Sequence, residues 1–203
     1  MAQISLFPME SILLPGSILP LQVFEERYVH LIQDCIGRTS IGLIQPSTED
    51  AIINPPLSAM GCSGRIIRFE ELENGRFFVI LRGEKRFHYI EDSISPRGYR
   101  EAEVRWVIEP PSPDEAEKII ADRPEFMENL SVYLDNIGMK ADISEIEETS
   151  DARLIDTLAM LLPTSATDRQ ALLEAYTLSE RLQILEAIIN GEDSPKIIPK
   201  WQH

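Results

Sequence analysis

The sequence predicts an α+β chain in which a β-rich first part is followed by a helical second part. Three observations carry this expectation. Ala59 to Phe87 reads as two strand arms around Asn74-Gly75, a turn pair that tolerates positive φ. Pro110-Pro-Ser-Pro113 then breaks the chain. Beyond it, apolar residues recur at three- and four-residue spacing to about residue 190. Charge changes at the same place. Residues 1–110 carry 11 basic and 15 acidic side chains, and residues 111–203 carry 8 and 19. The expected division is a β domain over 1–110, a helical domain over 111–191 and a tail over 192–203.

In chain order, residues 1–8 read as a short edge strand: Ile4 and Leu6 alternate with polar neighbours, and Pro8 stops it. Pro15-Gly16 signals a turn, and Pro20 keeps Leu19 extended. Phe24, Tyr28, Leu31, Ile32 and Cys35 then form one apolar helical face, with Glu25 and Glu26 in the first turn and Gly37 just past the end. Ile41–Gln45 reads as a buried strand, and Pro46 to Pro56 as an exposed loop. Phe77 to Leu81 is apolar without alternation, which predicts cover on both faces. Gly83 suggests a bulge before Arg86–Ile90. Tyr99 to Ile108 alternates, with Ala102, Val104 and Trp106 on one side.

In the helical part, Ser112 or Asp114 is a candidate cap. Pro124 suits a first helical position before the stripe Phe126, Leu130, Tyr133, Leu134 and Ile137. Ser150 is a candidate cap for the stripe Leu154, Ile155, Leu158, Leu161 and Leu162, stopped by Pro163. Thr167 with Gln170, and Thr177 with Glu180, have capping-box spacing. The last helix spans Leu178 to Asn190 and ends before Gly191.

Composition narrows the function classes. There is no apolar run of membrane-spanning length and no signal-peptide pattern. Two cysteines, Cys35 and Cys62, do not make a disulfide framework, so reduced thiols in a cytoplasm are expected. The net charge of −15 disfavours nucleic acid and anionic membranes as partners.

Few residues of the sequence are spaced for chemistry. No phosphate-binding Gly-x-x-x-x-Gly-Lys-Ser/Thr string occurs. His30, His88 and His203 are too dispersed for a metal centre, and no Cys-x-x-Cys is present. Gly61-Cys62-Ser63-Gly64 would let a substrate approach a nucleophile, but close strand packing with Cys62 in the core is the simpler reading. Glu70, Glu71, Glu73, Glu145, Glu147 and Glu148 read as solvated surface. The arginines are more informative: Arg27, Arg65, Arg68, Arg76, Arg82, Arg86 and Arg105 fall on expected strands and the opening helix of an acidic chain. They either pair with Glu25, Glu70, Glu84 or Glu103, or hold an acidic partner or a peptide.

Three stretches together carry a resemblance: Leu6-Phe-Pro-Met with Leu14-Pro-Gly, Leu19-Pro-Leu and Phe24-Glu-Glu-Arg-Tyr28; Gly61-Cys-Ser-Gly-Arg-Ile66; and Asn74-Gly-Arg-Phe with Leu81-Arg-Gly and Arg86-Phe87. This pattern resembles the Lon protease N-terminal, substrate-binding domain, in the small stand-alone bacterial proteins that carry it alone. Leu158-Ala-Met-Leu-Leu-Pro163, Arg169–Glu174 and Glu180-Arg-Leu182 resemble the helical part of the same proteins. The resemblance implies a PUA-like β pseudo-barrel followed by a C-terminal α-helical bundle. It implies a non-catalytic module that recognises a protein or peptide, with no cofactor and without the ATPase and protease domains of full-length Lon. Phe24, Arg27 and Tyr28 are the partner-binding candidates, in a groove expected between the β domain and the helices. The alternatives are a small-molecule-binding protein or enzyme using the PUA-like cleft, and RNA binding, which the charge disfavours. Oligomeric state is not set by the sequence.

Overall fold

The computed structural model describes residues 1–37, 39–48, 54–111, 117–139 and 149–195. The expected caps Ser112 and Asp114, the surface carboxylates Glu145, Glu147 and Glu148, and the 196–203 part of the tail with His203 lie outside them. The chain divides into two compact units, Met1–Glu109 and Pro110–His203.

The first unit holds strands β1 (Ala2–Pro8), β2 (Ile18–Val23), β3 (Ile41–Pro46), β4 (Leu57–Glu71), β5 (Phe77–Ile94) and β6 (Arg100–Trp106), with helix α1 (Glu26–Cys35) between β2 and β3. The sheet order is β2-β5-β4-β3-β1-β6, and β6 pairs again with β5. That second pairing closes five strands into a barrel and leaves β2 as a flank. Closure depends on the length of β5. Phe77–Arg82 pairs with β2, Phe77–His88 with β4, and Phe87–Ile94 with β6. A strand that serves both ends of a closed sheet must bend, and bulges supply the bend. The register skips Glu84 and Ile90 on β5 and Ile67 on β4. Ile4, Leu6, Ile44, Phe87, Ala102 and Val104 form the barrel core.

Several expectations change. Strand β1 is interior, parallel to β3 and antiparallel to β6, and not an edge. The extended lead-in around Pro20 is itself a strand, β2, and it supplies the edge. The run Phe77–Leu81 does alternate: Phe77, Val79 and Leu81 are buried while Phe78 and Ile80 are half-buried, because only one face meets the core. The Asn74-Gly75 connection is a three-residue 3-10 turn over Glu73–Gly75, with Gly75 at φ +70° and Leu72 N donating to Arg76 O at 2.7 Å.

Helix α1 buries Tyr28, Leu31, Ile32 and Cys35 as expected, but Phe24 precedes the helix and lies outside that face. Glu25 is the N-cap residue, and Glu26 alone supplies the acidic first turn. The helix is tied to the β5–β6 connection. Arg97 pairs with Asp34 and donates to Gln33 Oε1 at 2.7 Å, and Tyr99 Oη donates to Asp34 Oδ2 at 2.9 Å. Burial, with Asp34 adding to it, pushes the Tyr99 phenol up to about 12, so it stays a donor at every physiological pH.

The second unit contains α2 (Arg123–Asn136), α3 (Asp151–Leu161), α4 (Ala166–Glu174) and α5 (Leu178–Asn190). Asp122 caps α2 by accepting from Glu125 N at 3.1 Å, and Pro124 sits in the first turn. Ser150 caps α3, and Thr177 with Glu180 forms a full capping box on α5, both as expected. The proposed Thr167–Gln170 box does not form. Ser165 caps α4 instead, accepting from Asp168 N at 3.0 Å, so Thr167 lies inside the helix. Leu161 is 68% exposed and leaves the α3 stripe, while Leu154, Ile155, Leu158 and Leu162 stay in it. Ile137 is likewise exposed at the end of α2.

Asp151 organises the start of this unit. Its buried carboxylate accepts from Ile119 N at 2.8 Å and Ile120 N at 2.9 Å, and it pairs with Arg123. Burial pushes the Asp151 carboxyl up, but the two amides and the guanidinium outweigh it and hold the group below the usual carboxylate range. A carboxylate depressed in the fold stabilises it above its unfolded value, about 3.9, and that contribution is lost as pH falls through the folded value. Asp151→Asn is therefore expected to cost about 2 kcal/mol near neutral pH. Urea midpoints of wild type and variant should converge as pH falls below about 4. A gap that persists undiminished in acid would show that the charge of Asp151 contributes nothing.

Candidate functional site

The chemistry-bearing candidates of the barrel are interior. Cys62 has no exposed surface, and its thiol donates to Ser63 O at 3.5 Å. Gly61 and Gly64 allow the close packing expected of them: a Cβ on Gly61 would lie 2.4 Å from Leu43 O and 2.5 Å from Phe87 Cζ. His88 is buried opposite Met60 on β4 and Arg105 on β6. Desolvation, with Arg105 and Arg86 nearby, pushes its imidazole down, which keeps it neutral near pH 7. Among the described residues, no group of three His, Cys, Asp or Glu side chains is placed to share a metal ion.

Phe24, Arg27 and Tyr28 come together where β2 passes into α1, with different surroundings. Phe24 is 69% exposed, projecting from the extended step between strand and helix. Arg27 Nε donates to Glu25 Oε2 at 3.1 Å, and its guanidinium lies 4.5 Å from the centre of the Tyr28 ring. That is a cation–π contact, strongest for a guanidinium over an electron-rich face. Tyr28 itself is 7% exposed, and its ring centre is 4.3 Å from that of Phe7. Burial pushes the Tyr28 phenol up while Arg27 pulls against it. Tyr28 thus joins the core on one side and carries the half-buried Arg27 on the other.

The register extends this region into a surface. Over β2, β5 and β4, cross-strand partners place Ile18, Pro20 and Gln22 beside Arg82, Ile80 and Phe78, and these beside Arg65, Arg68 and Glu70. The opposite face carries Leu19, Leu21 and Val23 with Leu81, Val79 and Phe77, which are buried or half-buried. The outward face therefore has an apolar centre, Ile18, Pro20, Ile80 and Phe78, beside three exposed arginines. Ile67, at the β4 bulge, and Phe69 are also exposed, but Phe69 lies opposite Val79 and so belongs to the other face. Arg65 donates to Glu84 Oε1 at 2.7 Å but stays largely open to solvent. Among the described residues β2 has no strand on its far side. Pro20 has no N–H, so it sits on the ladder step where none is needed.

Arg65, Arg68 and Arg82 stand out among the arginines of the sequence, whereas the apolar centre between them does not. The apolar identity of every residue from Phe77 to Leu81 conceals their alternation. Only the edge position of β2 reveals it, and Pro20 within an extended run is the signal of that edge. Of the pairings expected for the arginines, Arg27–Glu25 and Arg65–Glu84 form. Arg86 pairs with Glu109, a partner not foreseen.

The family described as the ATP-dependent protease La (LON) substrate-binding domain matches residues 3–191. The crystal structure of a Lon N-terminal domain protein from Xanthomonas campestris is 32% identical, with a TM-score of 0.63, over 92% of this chain and 98% of that one. The N-terminal domain of Mycobacterium avium complex Lon protease, at 19% identity, shares the fold with a TM-score of 0.64, over 93% of this chain and 98% of that one. Lon protease of Buchnera aphidicola is 25% identical, and that of Escherichia coli K12 23% identical; each match covers 94% of this chain and 25% of the relative. The chain thus spans about a quarter of the length of these relatives. No helix among the described residues is long and apolar enough to cross a membrane. Nearly the whole length of the first unit and the helices of the second fall inside one family's domain, and the chain belongs to the LON substrate-binding domain family.

Proposed function

We propose that this chain is a non-catalytic recognition module of the cytoplasm, and that it binds extended polypeptide along β2 and the outward face of the β2–β5–β4 arm. The observation that carries this reading is the partly exposed apolar centre of that face, flanked by Arg65, Arg68 and Arg82 in a chain of net charge −15. Exposed apolar surface grouped on one face marks an interaction site more often than a solvated one. The open edge of β2 offers main-chain hydrogen bonds to an extended segment, and the apolar centre takes its side chains. Phe24 continues the surface past the end of β2. Arg27 stands at the same end, held over Tyr28, so Tyr28 acts by positioning it. The polar groups of the face are mainly guanidinium ions. They stay protonated at physiological pH, so they hold carboxylates and carbonyls but cannot serve as general bases. The arrangement favours apolar segments that carry acidic residues, and membership of a substrate-binding domain family supports a binding role.

The test is fluorescence anisotropy with a reduced, carboxymethylated unfolded protein as the labelled probe. Wild type should bind it saturably. Phe24→Glu, and Arg65→Glu with Arg68→Glu and Arg82→Glu, should each weaken binding about tenfold or more. Equal affinities for wild type and folded variants would remove this face from the account.

A further inference from the structure

The edge of β2 presents a defined set of main-chain groups. Gly83 N donates to Ser17 O at 2.9 Å, and the ladder continues from there with Ile18 opposite Arg82. Residues that face the neighbouring strand alternate in an antiparallel ladder. Leu19, Leu21 and Val23 therefore turn their peptide groups to β5, and Ile18, Pro20 and Gln22 turn theirs away from it. Pro20, which has no N–H to give, falls on the side away from β5. On that side Ile18 and Gln22 offer N–H donors, and Ile18, Pro20 and Gln22 offer carbonyl acceptors.

The outward side chains of the arm stand in rows. Ile18 leads to Arg82 and Arg65, Pro20 to Ile80 and Arg68, and Gln22 to Phe78 and Glu70. Positive charge gathers at the Ile18 end, where Arg82 and Arg65 lie directly opposite each other, a placement that costs stability for like charges. Arg65 Nε is held by Glu84 at 2.7 Å. Arg82 and Arg68 are exposed and have no ion-pair partner among the described residues. A carboxylate bound beside Arg82 relieves this end, whereas Glu70 repels one at the other.

On the reading of the arm as a polypeptide-binding face, we propose that β2 selects segments of the pattern apolar-x-apolar-x-acid, paired antiparallel to it. The acid lies opposite Ile18, and the two apolar side chains lie opposite Pro20 and Gln22. An added strand lies about 4.8 Å beyond β2, which puts its acid about 10 Å from the β5 backbone. The long side chains of a glutamate and of Arg82 bridge that gap by running over Ile18. Antiparallel pairing is the more stable direction, and it brings the C-terminal side of the segment to the arginines. Pro20 O then accepts from the N–H of the second apolar residue.

The test uses short blocked peptides in fluorescence anisotropy with the full chain. A peptide built on Leu-Thr-Leu-Thr-Glu should bind about tenfold tighter than Leu-Thr-Glu-Thr-Leu, Glu-Thr-Leu-Thr-Leu or Leu-Thr-Leu-Thr-Lys. N-methylation of its second leucine should weaken binding about tenfold, and N-methylation of either threonine should not. Arg82→Glu should reverse the preference between the glutamate and lysine peptides. Arg76→Glu, at the exposed far end of the arm, should keep the wild-type preference. Circular dichroism checks that both variants stay folded. Equal binding of all orders, a tighter reversed order, an Arg82→Glu chain that still prefers glutamate, or a methyl effect at the threonines overturns the proposal. If the carboxymethylated unfolded probe still binds the arm in that case, only the selected pattern falls. If that probe fails to bind as well, the reading of the arm falls with it.

Discussion

Gly83→Ala is expected to destabilise the first unit by about 3 kcal/mol or more, the upper range for forcing extra atoms into a packed site. A Cβ at this position would lie 2.0 Å from Leu14 O and 2.8 Å from Leu14 C. Both are backbone atoms, so no side-chain rotation relieves the clash. The same spot is fastened by hydrogen bonds on both sides: Gly16 N donates to Gly83 O, and Gly83 N to Ser17 O, each at 2.9 Å. Gly83 is where the lead-in to β2 crosses β5, next to the Glu84 bulge that bends the strand. The methyl group would therefore push apart the crossing that seats β2. Gly75→Ala is the control. Nothing lies within 4 Å of its added Cβ, and only the φ of +70° is at stake, which costs about 1 kcal/mol. Thermal melts of the two variants should separate clearly. Equal melts would mean that the crossing relaxes freely.

Glu109→Ala is expected to cost about 3 kcal/mol, although Glu109 lies at the end of the first unit, beyond β6. Arg86 is 2% exposed, and it pairs with the Glu109 carboxylate. Arg86 Nε donates to both carboxylate oxygens, at 3.2 and 3.0 Å, and Nη2 donates to Oε2 at 2.7 Å. The backbone N of Arg86 also donates to Oε1 at 2.8 Å. Removing a carboxylate from a pair like this leaves a guanidinium in a dry site, and that penalty dominates. Glu109 is itself partly solvated, which places the expected cost at the low end of the range for buried pairs. A double change, Arg86→Met with Glu109→Ala, should recover much of the loss, because it removes the buried charge together with its carboxylate. Urea unfolding of the three variants tests this. A double variant no better than Glu109→Ala would mean that the cost comes from packing and not from charge.

The elements that were legible in the sequence are those specified by local chemistry. Ser150, Thr177 with Glu180, and the α1 face from Tyr28 to Cys35 follow from hydroxyl caps and helical spacing, which depend on residues within a few positions. The elements that were not legible depend on distant partners. Nothing in residues 1–8 shows that β1 runs between β3 and β6. The tight apolar run Phe77–Leu81 hides an alternation that only the edge position of β2 makes meaningful. Thr167 and Gln170 have the right spacing for a box, but Ser165 two residues earlier wins the cap. The surface residues show the same division. The arginines of the arm stand out in an acidic sequence, whereas Ile18, Phe78 and Ile80 become a surface only through strand register. In the sequence Arg86 stands only as one of several strand arginines that either pair within the fold or hold a partner. Its burial follows from the closure of the barrel around Phe87 and from a carboxylate 23 positions away.

The most direct test of the central claim is amide hydrogen exchange of the full chain with and without the carboxymethylated unfolded probe. The account predicts added protection over residues 18–24, 65–70 and 78–82, largest along the open edge of β2. Protection confined to the helices α2 to α5, or saturable binding with no change in the β2–β5–β4 arm, would contradict it.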